Sequence, residues 1–334
     1  MRRRRAASPA CDVVVVGSYN QDLIWHAERM PAAGETRPAR FSSGPGGKGF
    51  NQAVAARRQG ARTLLVAAVG RDAFGDRARE LAEAEGIDAR WQIVAGEATG
   101  NAAVWLDAAG GNRILVAPGA NALLAPAHVT GQAEAMRAAR VLLTQQEVHP
   151  VASHRAQQLA AELGLLRIHD PAPAQDGEDA RRLCRGCDIL TPNESEFLAL
   201  LEARGLATPD GPLAGLADPA LHRLCRLLEV PTVILTLGEA GVFVSHAEPS
   251  RHHDAEPYYR LPAEKVDAVD TTGAGDGFNG ALAAAIAAEP ERPLAGHVHH
   301  AIRCAALAVS GHGAAAAMPT REQVEQRFGA AGEP

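Results

Sequence analysis

The stretch NQAVAARRQGARTLLVAAV, residues 51–69, changes periodicity halfway along. Residues 51–58 are alanine-rich with helical spacing, whereas residues 64–69 form a short apolar run of the kind that makes a buried strand. The same exchange recurs outward from it. Strand-like runs stand at 13–16, 141–144, 189–191 and 233–237, and helix-like segments at 76–85, 151–163 and 221–228. Strands alternating with helices imply right-handed crossovers, so the expected fold is α/β, with a doubly wound, mainly parallel sheet flanked by helices.

Two stretches break the rhythm. Residues 25–43 and 91–116 alternate apolar and polar side chains between Gly and Pro turns, and ATGNAAVWLDAAGGNRILV reads as a hairpin around Gly110 and Gly111. A small inserted β lid, formed from about 22–45 and 91–118, is the expected arrangement. It would sit within a single domain spanning 11–330, preceded by a disordered basic arm at 1–10.

Bulk properties narrow the function. The 334 residues hold 39 acidic and 33 basic side chains, a net charge of −6, so no nucleic-acid surface or anionic membrane partner is expected. The opening MRRRRAASPA lacks the apolar core of a secretory signal, and no run approaches the ~20 apolar residues of a membrane span. Five scattered cysteines do not make a disulfide framework and fit a reducing cytoplasm. Cys184 and Cys187 form a lone CxxC with no second pair, which favours ordinary half-buried cysteines over zinc or redox chemistry.

The strongest chemical signal is DTTGAGDGFNG, residues 270–280, followed by the alanine-rich helical run 281–288. Glycines just before a helix free several backbone N–H groups to point at one spot, where the helix dipole adds positive charge. Such an anion hole suits a transferring phosphoryl group, and Asp276 at its edge can accept a proton from an attacking hydroxyl. A glycine-rich helix entry with Asp276 as N-cap reads equally well from these letters alone.

A second glycine segment, SGPGGKGFNQ at 43–52, contains Gly-Lys but is no P-loop. Ser42 stands where the first glycine belongs, and Gly49 where a Ser or Thr should meet the metal. Two GxGxxG patterns, from Gly44 and from Gly275, lie outside the first βα turn that a dinucleotide site requires. What remains at 43–52 is closely approaching backbone with Lys48 and Asn51 able to hydrogen-bond a polyol. The segment TPNESE at 191–196 reads either as a capping box or as a metal-facing turn.

Taken together, GSYNQD, GPGGKGFNQAVAARRQGA, EATG, APGAN, LLTQQE, DPAPA, TPNESE, LTLGEAG and DTTGAGDGFNGAL occur in the order and spacing of the ribokinase-like (PfkB) sugar and nucleoside kinases. The chain resembles that family from about residue 13 to 319. The resemblance implies an ATP-dependent kinase acting on the primary 5-hydroxyl of D-ribose, or on a ketohexose, deoxyribose or a nucleoside.

It further implies that Asn20, Asp22, Gly46, Gly47, Lys48, Asn51 and Glu147 bind the sugar. Asp276 would be the base, and Gly273, Ala274 and Gly275 the anion hole. Asn193 and Glu194 would face Mg²⁺ and phosphate, with Glu194 on the metal. The turn Thr236, Leu237, Gly238, Glu239, Ala240 and Gly241, with Gly275, would hold the nucleotide. A monovalent cation, K⁺, would lie between Asp270 and Thr272 on one loop and Ala308, Gly311 and Gly313 on another. Family members often pair through the lid, which implies a homodimer.

Four positions depart from the family pattern. Phe50 replaces a small residue and is expected to narrow or reshape the sugar pocket. Asp170 replaces the asparagine of NPAPA, Ile302 falls where an adenine-side polar residue usually lies, and Ala317 replaces a serine near the cation loops. His297, His299 and His300 read as a helix surface rather than a metal site.

Overall fold

Strands that read as unbroken apolar runs are buried on both faces, the mark of a parallel sheet covered by helices. The computed structural model describes residues 11–109 and 111–329; the basic arm expected at 1–10 and Gly110 of the expected hairpin lie outside the described residues. Thirteen strands form in chain order: β1 Val13–Val16, β2 Asn20–Ala27, β3 Arg40–Gly46, β4 Thr63–Gly70, β5 Asp88–Val94, β6 Asn101–Asp107, β7 Asn112–Ala117, β8 Val141–Thr144, β9 Leu166–His169, β10 Ile189–Leu190, β11 Thr232–Thr236, β12 Val242–His246 and β13 Tyr258–Leu261.

Nine of them make one sheet in the order β13-β12-β11-β10-β9-β8-β1-β4-β5. All its pairings are parallel except those of β12, which is antiparallel to both neighbours. The four valines of β1 are fully buried, each contributing about 1.5–3 kcal/mol of transfer free energy. Their alternation divides the core. Val13 and Val15 join a cluster that includes the helices Lys48–Arg58, Ala274–Ala288 and Leu294–Ala308, while Val14 and Val16 join another with the helix Pro150–Leu163.

From β1 the chain adds β4 and β5 on one side, then returns to add β8, β9, β10 and β11 on the other. Strand order therefore reverses between β1 and β8. In open α/β sheets the crevice beyond the carboxyl ends of the strands at such a point is the usual ligand site. The helices Lys48–Arg58 and Ala274–Ala288 meet above it, and Gly280 is what lets them approach. A Cβ there would stand 2.5 Å from both the Ala55 Cβ and the Gln52 carbonyl oxygen.

The remaining strands form a second sheet, β3-β2-β6-β7, with β2–β3 and β6–β7 antiparallel and β2–β6 parallel. Trp91 is not part of it. Residues 91–94 lie in β5, which pairs parallel to β4 at the edge of the large sheet, Ala67 opposite Trp91. An edge strand is only partly covered: Trp91 and Val94 pack against the two core clusters while Ile93 is exposed, a mixture that a hairpin strand also shows.

The histidine run is not a helix surface either. His297 and His300 are buried in the helix Leu294–Ala308, and only His299 is part-exposed. Ile302 on the same helix belongs to the core. Cys184 and Cys187 are fully buried rather than half-buried, and the Cys187 thiol donates to the Cys184 carbonyl at 3.1 Å. Burial pushes the Cys184 thiol up to about 12. Among the described residues no three His, Cys, Asp or Glu side chains cluster so as to hold a metal, and no helix is long and apolar enough to cross a membrane.

Candidate active site

At the carboxyl end of β1 the chain turns through Ser18 and Tyr19 into β2. Asn20 and Asp22 are two apart on that strand and so share a face. They stand opposite Gly46 and Gly44 in the β2–β3 register. Gly46 lies against the Asp22 carboxylate, where a Cβ would collide with it. The Asn20 Oδ1 accepts from the Asn121 Nδ2 at 2.9 Å, and Asn121 also bonds the Tyr19 backbone through both its amide atoms.

The glycine segment ends in the helix Lys48–Arg58, whose N-cap Gly47 has φ 86°. Glu147, just beyond β8, meets this helix start: its carboxylate accepts from the Lys48 backbone N–H at 2.8 Å and from the Ser18 hydroxyl. Burial, then the charges of Glu147 and Asp276, pushes the Asp22 carboxyl up to about 7. Asp22 therefore shares one electrostatic environment with both.

Asp276 is buried at 4 % exposure in the first turn of Ala274–Ala288. Its carboxylate is held from the facing helix. The Asn51 Nδ2 donates to Oδ2 at 2.8 Å, and the Gln52 Nε2 donates to Oδ1 at 3.1 Å. The same Gln52 nitrogen donates to Asp170 at 2.9 Å, and its Oε1 accepts from the Gln145 Nε2 at 2.6 Å. The Lys48 ammonium stands 3.9 Å from the same Asp170 oxygen. Burial raises the Asp170 carboxyl to about 7, Lys48 opposing the rise and Asp276 adding to it. Burial disfavours the Lys48 charge, but Asp170, Asp276 and Glu147 more than offset this and hold its pKa above the usual lysine value. The buried Asn51 Oδ1 has no partner, leaving an acceptor free for a hydroxyl.

Gly273 enters the helix in the left-handed region, φ 80° and ψ 3°, which a glycine reaches without strain. The Ala274 N–H turns back to the Thr271 carbonyl at 3.2 Å, whereas the N–H groups of Gly275 and Asp276 meet no acceptor among the described residues. Two free amides thus stand at the helix start beside the Asp276 carboxylate.

Asn193 forms a full capping box. Its Oδ1 accepts from the Glu196 N–H at 2.9 Å and from the Ser195 hydroxyl at 2.8 Å, while the Glu196 carboxylate accepts from the Asn193 N–H at 2.9 Å. That use leaves the Asn193 amide NH₂ and the half-buried Glu194 carboxylate without partners among the described residues. The charge of Glu196 reaches Lys48 and Asp170, so this helix start borders them. Asn193 also bridges to Thr236, after which Leu237 is buried and Gly238, Glu239 and Ala240 form an exposed 3₁₀ turn closed by the Leu237 N–H on the Gly241 carbonyl at 2.8 Å.

Asp270 ties the two remaining loops together, accepting from the Thr272 N–H at 2.9 Å and the Gly313 N–H at 3.0 Å. Burial pulls its carboxyl up, but these bonds outweigh it and keep the pKa below the usual carboxylate value. Ala308 is buried, and its carbonyl accepts the Gly311 N–H at 3.2 Å.

Gln52, Asn121, Ser18 and Gln145 belong to this network but did not stand out in the sequence; Asp170 stood out only as a departure. Neighbours on a helix point about 100° apart, so spacing gave no reason for Asn51 and Gln52 to reach one carboxylate. Phe50, buried at 1 %, packs its ring edge-on to Tyr19 at 5.2 Å, and so sits in the core.

Comparison with known proteins agrees in outline. Residues 11–321 match the description "pfkB family carbohydrate kinase". Mouse ribokinase is 35 % identical over 319 residues, 94 % of each chain, and a deoxyribokinase from Salmonella typhi is 32 % identical, covering 94 % of this chain and 98 % of its own. An Arabidopsis thaliana ribokinase solved with ribose and ATP superposes with a TM-score of 0.78 at 29 % identity, covering 95 % of this chain and 98 % of that one.

Proposed function

The chain belongs to the pfkB family of carbohydrate kinases, and from that premise we propose that it transfers the γ-phosphoryl group of ATP to the primary 5-hydroxyl of D-ribose. The observation that carries this reading is the buried Asp276, held at both oxygens by Asn51 and Gln52 and flanked by two unpartnered helix-start amides. A candidate base and two free amides able to form an anion hole thus stand side by side on one helix turn.

In the proposed reaction the sugar lies over β2 and the glycine segment. Asn20, Asp22, Lys48, Asn51 and Glu147 supply donors and acceptors for its hydroxyls, and Gly46 and Gly47 the close backbone. Asp276 accepts the proton of the 5-hydroxyl as that oxygen bonds to the γ-phosphorus and the bond to the β-phosphate oxygen breaks, releasing ADP. The free amides of Gly275 and Asp276, rather than that of Ala274, which is bonded to the Thr271 carbonyl, and the Lys48 ammonium stabilise the charge that develops on the phosphoryl oxygens. The second sheet acts as the lid that excludes water, a competing acceptor.

The nucleotide lies along Asn193 and the turn Thr236 to Gly241. Mg²⁺ would supply charge screening of the triphosphate; the lone Glu194 carboxylate and the absence of a larger acidic cluster among the described residues fit an ion held mainly by water and phosphate. Asp270, which joins the loops at 270–272 and 308–313, fits a K⁺ held otherwise by carbonyls, whose role would be to fix the helix start. The five cysteines, buried and not joined in disulfides, are compatible with a reducing cytoplasm, where we place the enzyme.

The likeness to a deoxyribokinase supports a second reading, 2-deoxyribose as acceptor. Steady-state phosphorylation of ribose, 2-deoxyribose, fructose and nucleosides with ATP and Mg²⁺ decides between them. Ribose is expected to have the highest kcat/KM. Preference for deoxyribose moves the assignment to the second reading, and inactivity with every pentose overturns both.

A further inference from the structure

We propose that a cavity at the opposite end of the large sheet, lined by Arg140, Arg251 and Arg292 and by the rings of His252 and His297, binds a small phosphorylated molecule. The cavity measures about 360 Å³ and opens beside the starts of β8 and β9, where Arg140 and Leu166 lie. Its wall includes Ile286, ten residues along the helix from Asp276 and thus about 15 Å farther down its axis. It is a separate place from the candidate active site.

Its chemistry is cationic. Arg251 pairs with Asp188 at 2.5 Å, but Asp188 already serves Arg167 at 2.8 Å, so two guanidinium groups share one carboxylate. Arg292 is held loosely by Glu289 at 3.5 Å. Arg140 donates to the Ala287 carbonyl and has no carboxylate partner among the described residues. Guanidinium forks match phosphate and carboxylate oxygens two at a time.

The histidines point to a ligand independently. His297 is 3 % exposed and His252 9 %, both line the cavity, and neither His297 ring nitrogen nor the His252 Nε2 makes a hydrogen bond. The backbone of Glu289 and Arg292 approaches the His297 ring without closing a bond of normal geometry. Burial, then His246 and Arg251, pushes His252 down to about 4, and burial with Arg292 lowers His297, so both rings are neutral near pH 7. A neutral imidazole still carries one N–H, and leaving such a donor buried and unpaired is costly. A tetrahedral phosphate offers acceptors in several directions at once, and so can meet the guanidiniums and the ring N–H groups that line the same cavity. Leu166, Ile286 and Leu294 give the carbon skeleton of a small phosphate ester an apolar wall, and the volume lies within the usual range for small-ligand sites, about 300–1,000 Å³.

The test titrates the full chain with inorganic phosphate and, separately, with ribose 5-phosphate, following the ring resonances of His252 and His297 and the heat of binding. Saturable shifts of both rings are expected with at least one of the two. Binding of phosphate alone identifies the free ion as the source, and tighter binding of the ester identifies the sugar phosphate. Arg140→Met with Arg292→Met should weaken binding at least about tenfold, ~1.4 kcal/mol, with turnover unchanged, and Asp276→Asn should leave it intact. If the double variant melts early, Arg140→Met alone serves, since that side chain is exposed. No saturable shift at millimolar ligand, or binding lost in Asp276→Asn and kept in the arginine variants, overturns the proposal.

Discussion

Asp276 is positioned by two side chains from another helix, and each can be removed separately. Replacing Asp276 by Asn keeps its size and removes the base; kcat should fall about 10²–10⁴-fold while the sugar still binds, as steady-state kinetics and calorimetry would register. Gln52→Leu leaves the base but frees one of its oxygens and removes one hydrogen bond each from Asp170 and Gln145. Roughly a hundredfold loss in kcat with a smaller change in KM is expected, since a base displaced by about 1 Å loses about that much. Equal kcat in Gln52→Leu and wild type would show that Asn51 alone holds the carboxylate.

Asp170 gives a pH signature at the same scale. Its folded pKa of about 7 lies above the unfolded carboxylate value, so its contribution to stability is full below about pH 4 and is lost as pH rises through 7. Asp170→Asn removes that loss. Its melting temperature should match wild type at pH 4 and exceed it at pH 8, the difference growing by up to about 1.4 kcal/mol per pH unit between them. Comparing variant with wild type at each pH cancels the opposing effect of buried histidines such as His169, whose pKa burial lowers to about 3.

At the scale of elements, the site exists because the helices Lys48–Arg58 and Ala274–Ala288 touch. Gly280→Val would drive side-chain atoms into Ala55 and the Gln52 carbonyl. An overpacked contact of this kind costs about 1–3 kcal/mol. Thermal unfolding should report that loss, and kcat should fall with it because the helix carrying Asp276 moves away from Asn51 and Gln52. Full activity in Gly280→Val would mean that the pair tolerates separation. The stretch at 91–94 was misread at this same scale, because the edge strand β5 mixes part-buried Trp91, Gln92 and Val94 with exposed Ile93, a mixture that a hairpin strand also shows.

For the whole molecule, the second sheet presents Phe41 on its edge strand β3 and Ile114, Leu115 and Val116 on the opposite edge β7, each more than half exposed. Apolar side chains gathered on unpaired edges are a cost in a monomer and a contact surface in a dimer. Sedimentation is expected to give twice the chain mass, and Leu115→Arg with Ile114→Arg to give the monomer. A wild-type monomer at micromolar concentration would remove the proposed homodimer.

What the sequence determined by itself was whatever is encoded locally or in order along the chain. The valines of β1, the alanine-rich helices and the glycines at 273 and 275 each declare a backbone preference within a few residues, and their succession already implied the alternating α/β sheet. Which side chains converge was decided by tertiary structure alone. Gln52 and Asp276, 224 positions apart, meet only because Gly280 admits the helix contact, and His297 and His300 are buried only because other elements pack over their helix; the Asn193 capping box, by contrast, is local and was one of the two readings its letters allowed. Periodicity reports a preference for a face, but the partner on that face is set by burial and close packing across the whole molecule.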